Sequence, residues 1–205
     1  MLFRSRVGVG PGESADVLQR AASELETYYS LGYRLSPGKD DKPRKIKVVT
    51  KDRTHRVRTR DTVMRLSEAT RLRDRVSTNL YLPDQVTSAS LTFTPKIVQM
   101  RRDGKTMLAD VALSIPAKSL LMLRDGQQKL RGSFSVLVAA GRELGDTSEV
   151  TELKQDFDSK SAPADGSVIN YSFTVRMRPD SRRLSIALRD NLSGEVATKL
   201  VMLEK

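Results

Sequence analysis

The period of the hydrophobic positions changes near residue 88, and that change divides the chain. Before it, Val17, Leu18, Ala21, Ala22, Leu25, Tyr28 and Tyr29 share one face of a 3.6-residue repeat, with Gln19, Arg20, Glu24 and Glu26 opposite. Ser14 is positioned to cap this helix and Asp16 lies in its first turn. Tyr29 to Leu35 switches to period two, which predicts a short strand, and 36–41 (Ser-Pro-Gly-Lys-Asp-Asp) predicts a turn. Residues 45–49 and 55–60 predict two strands of a hairpin joined by a loop around 50–54. Ser67 is the expected N-cap of a second helix, with Glu68 in its first turn and Leu72, Val76 and Leu80 as a narrow apolar face. Leu82-Pro83-Asp84 ends it.

Beyond 88 the period stays at two. Leu91 and Phe93 alternate ahead of Pro95, which marks an edge or a bulge. Asp103-Gly104 is a tight hairpin turn, after which Met107, Ala109, Val111, Leu113 and Ile115 alternate. Leu120 to Leu123 predicts a short buried run closed by Asp125-Gly126, and Phe134, Val136 and Val138 predict a strand ending at Gly141. A weaker strand is expected over 150–157 and a loop over 161–166. Two more alternating runs, Tyr171/Phe173/Val175/Met177 and Leu184/Ile186/Leu188, follow, separated by turns at 179–181 and 190–194, with a last strand over 196–203. Short strands at such regular spacing predict a β-sandwich over 87–205.

Composition narrows the chemistry. The 205 residues are 38% hydrophobic and 30% charged, with mean hydropathy -0.42, a composition able to bury a core and containing no apolar run long enough for a membrane helix. Cys and Trp are absent, so disulfides, thiol catalysis and Cys-based metal sites are excluded, as is the Cys…Trp…Cys pattern of antibody domains. With one His in the chain, triads and His-ligated metal sites would rest on His55 alone. Net charge is +11, and residues 42–75 carry 13 basic against 4 acidic residues. Met1-Leu2-Phe3-Arg4-Ser5 is followed by no apolar run of a signal peptide and does not start a helix. The expectation is therefore that the chain continues upstream.

Each candidate motif has a plain structural alternative. Gly8-Val9-Gly10-Pro11-Gly12 precedes a helix but fits no phosphate-loop spacing, and Glu13 would repel a phosphate, so a flexible loop is expected. His55 lies among Arg56, Arg58 and Arg60, which oppose a metal, and reads as an exposed strand residue. Asp156-Phe157-Asp158 and Asp190-Asn191 lack the spacing of a calcium loop and read as turns. The cations Lys45, Lys47, Arg56, Arg58 and Arg60 are candidate anion contacts toward phosphates or lipid headgroups. Against that, 42–75 has no Phe, Tyr or Trp on which bases could stack, and Arg56-x-Arg58-x-Arg60 is also how an edge strand blocks aggregation. No catalytic set assembles, and 141–166 is a loop-rich stretch at the end of the sandwich where partner contacts are expected.

Several of these segments carry a family resemblance. Tyr29-Ser30-Leu31-Gly32-Tyr33, Lys45-Ile46-Lys47-Val48, Val57-Arg58-Thr59-Arg60 and Ala187-Leu188-Arg189-Asp190-Asn191-Leu192-Ser193-Gly194 together resemble the C-terminal half of bacterial, acidobacterial-type von Willebrand factor A-related domain proteins. Where family members often have Gly-Tyr or Ser-Tyr after the last-strand Arg, this chain has Asp61-Thr62. The resemblance implies that 14–35 is the last helix and strand of an A domain whose body lies upstream. It implies a secreted or periplasmic protein with a role in protein–protein contact and no enzymatic activity. The divalent-ion loop of such domains, Asp-x-Ser-x-Ser, would lie upstream, so no cofactor or metal is expected in this chain.

The expected class is α+β overall and mainly β. Residues 1–62 form the truncated end (helix plus strands) of an α/β A-type domain with a basic hairpin, 63–86 a linker helix, and 87–205 an Ig- or fibronectin-like antiparallel sandwich. The expected function is non-enzymatic, extracytoplasmic protein–protein interaction or adhesion. The alternative is nucleic-acid or anionic-surface binding through 42–75.

Overall fold

The computed structural model describes residues 39–52, 54, 57, 59–83, 90–126, 128–143 and 145–203, together with Gly32 and Arg34. The loop at 8–12, the helix from Ser14 and, apart from those two positions, the tyrosine-rich strand lie outside the described residues, as do His55, Arg56 and Arg58. Residues 40–205 form one compact unit.

In chain order its elements are β1 (Arg44–Lys45), β2 (Thr62–Val63), α1 (Glu68–Asn79), β3 (Thr94–Asp103), β4 (Thr106–Pro116), a 3-10 turn at Ala117–Ser119, β5 (Leu123–Arg124), β6 (Leu130–Gly141), β7 (Thr151–Ser159), β8 (Val168–Met177), β9 (Arg183–Asp190) and β10 (Val196–Met202). The protein is mainly β, and its paired strands are all antiparallel. One sheet has the order β3-β4-β8. The other runs β10-β9-β6, with β7 on the far edge of β6. β9 pairs with β6 only from Phe134 onward, and β5 takes the vacated edge at Leu130 and Arg131.

The two sheets face each other around one core. Val111, Leu113 and Ile115 of β4 meet Phe134, Val136 and Val138 of β6 and Leu184, Ile186 and Leu188 of β9. These are the alternating positions the sequence marks, and each such side chain removed from water stabilises the fold by roughly 1.5–3 kcal/mol. The Asp103-Gly104 turn is present: Asp103 pairs with Thr106, and Gly104 takes φ +58, as the first central residue of a type II′-like hairpin requires. Pro95 sits near the start of β3, an edge strand, which also carries a bulge between Ile97 and Gln99.

A third layer covers the larger sheet. Ser67 caps α1 by accepting the Thr70 N–H at 3.1 Å. Leu72, Val76 and Leu80 then lie on Leu137, Ala139 and Ala187. The helix approaches closely because β6 and β9 present small residues there. Gly141 belongs to the same surface, since a Cβ on it would stand 3.1 Å from a Leu80 methyl. Within 63–86, expected as a linker helix, α1 and Leu80 thus supply a layer of the same body. This explains why β6 and β9 are buried on both faces.

Two local expectations need correction. Among the described residues of the hairpin expected over 45–49 and 55–60, strand pairing is found only at its root, Arg44↔Val63 and Lys45↔Thr62, continued by the Ile46 N–H on the Asp61 carbonyl. An isolated two-stranded ribbon is marginal in water, and Ile46 and Val48 are only half-buried, so the arms lack the apolar backing a ladder needs. Of the run Leu120 to Leu123, only Leu120 is buried; Leu121 and Leu123 are exposed. The reason is that the 3-10 turn directs Leu120 inward, while the Leu121 N–H is drawn to the Asp190 carboxylate at 2.7 Å.

Candidate functional site

Three of the candidate anion contacts lie on the hairpin root and arms. Lys45 and Lys47 are exposed on one side, alternating with half-buried Arg44, Ile46 and Val48, and Arg60 is exposed on the other. The Ile46 N–H donates to the Asp61 carbonyl at 2.7 Å, which sets the two sides together. Asp41, at φ 59, fixes the root: its N–H donates to the Arg65 carbonyl at 2.8 Å and its Oδ1 accepts the Ser67 N–H at 2.8 Å. The Ser67 hydroxyl and N–H hold the Asp41 carboxyl below its ordinary pKa. Arg65 Nε and Asp40 Oδ1, 3.0 Å apart, brace the same corner. Lys45, Lys47 and Arg60 can therefore meet a phosphate or carboxylate in solvent, where each such contact is weak and salt-sensitive.

Of the two acidic segments expected as turns, Asp190-Asn191 does open a turn, whereas Asp156-Phe157-Asp158 lies within β7, where it pairs with Arg131 to Ser133 of β6. Buried Asp190 accepts N–H groups from Leu121 at 2.7 Å, Leu192 at 2.9 Å and Ser193 at 3.4 Å. Asn191 bridges Ser133 and Ser135 from the same turn, at 2.9 and 3.2 Å, and Gly194 closes it at φ +78. The Arg-Asp-Asn-x-x-Gly segment is thus accounted for by a turn that ties Leu121, ahead of β5, and β6 to the end of β9. Asp156 and Asp158 are exposed beside Phe157, and with Arg131, Ser133 and Leu192 they rim an open depression of ≈ 460 Å³. The Ser133 hydroxyl, then Lys154, lowers the Asp156 pKa. Among the described residues no three His, Cys, Asp or Glu side chains converge as a metal-holding group.

A feature the motif search missed is the outer edge of β8. In the antiparallel β4–β8 ladder the Ala117 N–H donates to the Ser167 carbonyl at 2.9 Å, which fixes the phase. Ile169, Tyr171, Phe173, Val175 and Met177 share that phase and turn their main-chain groups to β4. Val168, Asn170, Ser172, Thr174 and Arg176 turn theirs to the other edge. No strand among the described residues pairs there. Their side chains are also exposed on the sheet's outer face.

The remaining edges are blunted and this one is not. β3 has Pro95, a bulge, Lys96, Arg101 and Arg102; β7 has Glu152, Lys154, Asp156 and Asp158; β10 has Lys199. β8 runs in unbroken register, without Pro, Gly, Lys, Asp or Glu, and its single charge, Arg176, is next to its end. Along its inner side a chain of rings opens toward the edge. Phe134 stands 5.9 Å from Phe157 and 5.4 Å from Tyr171, which stands 5.8 Å from Phe173. Tyr171, Phe173 and Phe157 are only partly buried. The sequence signal was available as an alternating, β-rich and nearly uncharged decapeptide. No family model, no curated protein and no solved structure matches the chain.

Proposed function

We propose that this chain is a non-enzymatic protein–protein interaction module that acts by strand addition at the β8 edge. The single observation carrying the reading is that edge, whose unblocked N–H and C=O groups are complementary to another extended polypeptide backbone. The core provides a rigid mount, since β8 is held to β4 over its whole length. The strand distribution supports the fibronectin-like form of the sandwich. In the Ig constant-type arrangement the fourth strand joins the first sheet, whereas here, leaving aside the two-residue β5, the fourth long strand of the sandwich, β7, joins the third, β6. The resemblance to A-domain-related proteins supports a place outside the cytoplasm, next to an A domain upstream. A photo-crosslinking residue at position 172, introduced in the native host, tests the contact. Discrete polypeptide adducts at 172 and none at Arg73 are expected; no polypeptide adduct at 172 overturns the reading. Fractionation of the same cells tests the compartment, and recovery with the cytoplasm removes that part.

A second reading, binding of nucleic acid or an anionic surface, is favoured by the exposure of Lys45, Lys47 and Arg60 on one hairpin, with Arg56 and Arg58 between them in sequence. Neutralising about six to ten phosphates would weaken binding ~10³–10⁵-fold between roughly 50 and 200 mM salt. A titration without that dependence discards it.

A further inference from the structure

We propose that the strand taken up by the β8 edge is β8 of a second copy of this chain, paired antiparallel about a two-fold axis through Ser172. This rests on the reading of the edge given above. It follows from the hydrogen-bonding phase. The residues that turn their main chain outward are 168, 170, 172, 174 and 176, so the register of fullest overlap sets Ser172 against its twin, Asn170 against Thr174 and Val168 against Arg176. Every outward N–H and C=O then meets its complement.

Side chains agree with this register. Between the hydrogen-bonded pairs, Tyr171 falls opposite Phe173 and Ile169 opposite Val175, aromatic and β-branched partners of the kind that stabilise antiparallel pairs. The part-exposed rings of Tyr171 and Phe173 would be joined by those of the twin, extending the Phe134–Phe157–Tyr171 cluster across the axis. The one charge on the strand is kept from itself, since the two Arg176 side chains stand about 26 Å apart along the ladder. The product is one continuous sheet, β3-β4-β8 joined to its copy, which removes the only unblunted edge among the described residues. No comparable register suits β3 or β7, where cations or carboxylates would be brought together.

Sedimentation equilibrium of the full chain tests this, together with Ser172→Lys, Ser172→Asp and an equimolar mixture of the two. Both substitutions are on an exposed position and place like charges on the axis. The unsubstituted chain is expected to sediment as a dimer. Each variant alone should associate at least about ten-fold more weakly, and the mixture should recover the dimer because Lys then faces Asp. Recovery also shows that both variants are folded. As each copy carries net +11, association should strengthen from about 20 to 300 mM salt, opposite to a nucleic-acid complex. A dimer that ignores both substitutions overturns the proposal by placing the interface elsewhere. A monomeric chain that still gives heterologous polypeptide adducts at 172 also overturns it, while leaving strand addition standing; a monomer without such adducts removes both.

Discussion

Gly132 is a glycine because a ring occupies the place of its side chain. It pairs directly with Phe157, whose ring lies across it, and a Cβ at Gly132 would come within 2.7 Å of Cε1 and 2.8 Å of Cε2. Gly132→Ala should therefore push Phe157 off Phe134 and cost about 1–3 kcal/mol, read as a lower urea midpoint at unchanged slope. Adding Phe157→Leu to Gly132→Ala should recover part of the loss. Two independent, additive losses would show that the ring does not hold this place. Asp41 is the corresponding electrostatic case. Its folded-state pKa is depressed by Ser67, so its contribution is present above the unfolded carboxyl pKa of about 3.9 and is lost as pH falls through the lower folded value. The stability difference between the parent chain and Asp41→Asn should be constant at neutral pH and shrink in acid. A difference that grows on acidification would place the carboxyl in the opposite role.

At the scale of elements, α1 and β9 are matched in length and clamped at both ends. Twelve helical residues span about 18 Å, and the six steps from Arg183 to Arg189 span about 20 Å. Arg189 Nη2 meets Glu68 Oε1 at 2.8 Å in the first helical turn, and Arg183 Nη1 donates to the Leu80 carbonyl at 3.0 Å beyond the last. Glu68 at the N-terminus and Arg183 at the C-terminus each favour the helix dipole. Asn79 Nδ2 donates to the buried Ser185 hydroxyl at 3.0 Å near the Arg183 end. Asn79→Ala should cost about 1–3 kcal/mol by leaving that hydroxyl short of its donor, and Arg183→Ala about 1 kcal/mol or more. Urea unfolding measures both, and losses below 0.5 kcal/mol on this scale would mean that α1 is held by its apolar stripe alone. The sequence made α1 legible down to Ser67, Leu72, Val76 and Leu80, because capping and periodicity are local. Its docking surface was not, since Leu137, Ala139 and Ala187 read as the outer positions of strands whose inner positions dominate the pattern. Alternation revealed β8 as a strand, but its open edge depends on β7 pairing with β6, a choice of topology that no local pattern records. Alternation around Ile46 and Val48 is present too, but among the described residues β1 and β2 pair only with each other, so nothing local tells how far that hairpin is laddered.

At the scale of the whole molecule, these contacts decide what can fold by itself. The sequence suggests that 87–205 is self-sufficient, and the main core does belong to it. Yet the outer face of the larger sheet is covered by α1 and its C-cap, whose buried Leu72, Val76 and Leu80 lie on Leu137, Ala139 and Ala187. At roughly 1.5–3 kcal/mol for each buried aliphatic side chain, removing Leu72, Val76 and Leu80 forfeits about 5 kcal/mol or more. That is comparable to the entire stability of a small domain, about 5–15 kcal/mol. It would also bare an apolar strip in the middle of a sheet, the surface that drives aggregation. A chain spanning 64–205 should consequently unfold in one cooperative transition, whereas one spanning 87–205 should be substantially unfolded or aggregated at the same concentration. Differential scanning calorimetry on the two pieces tests this. If 87–205 melts sharply within a few degrees of 64–205, α1 is an attachment, and the sandwich alone is the folding unit.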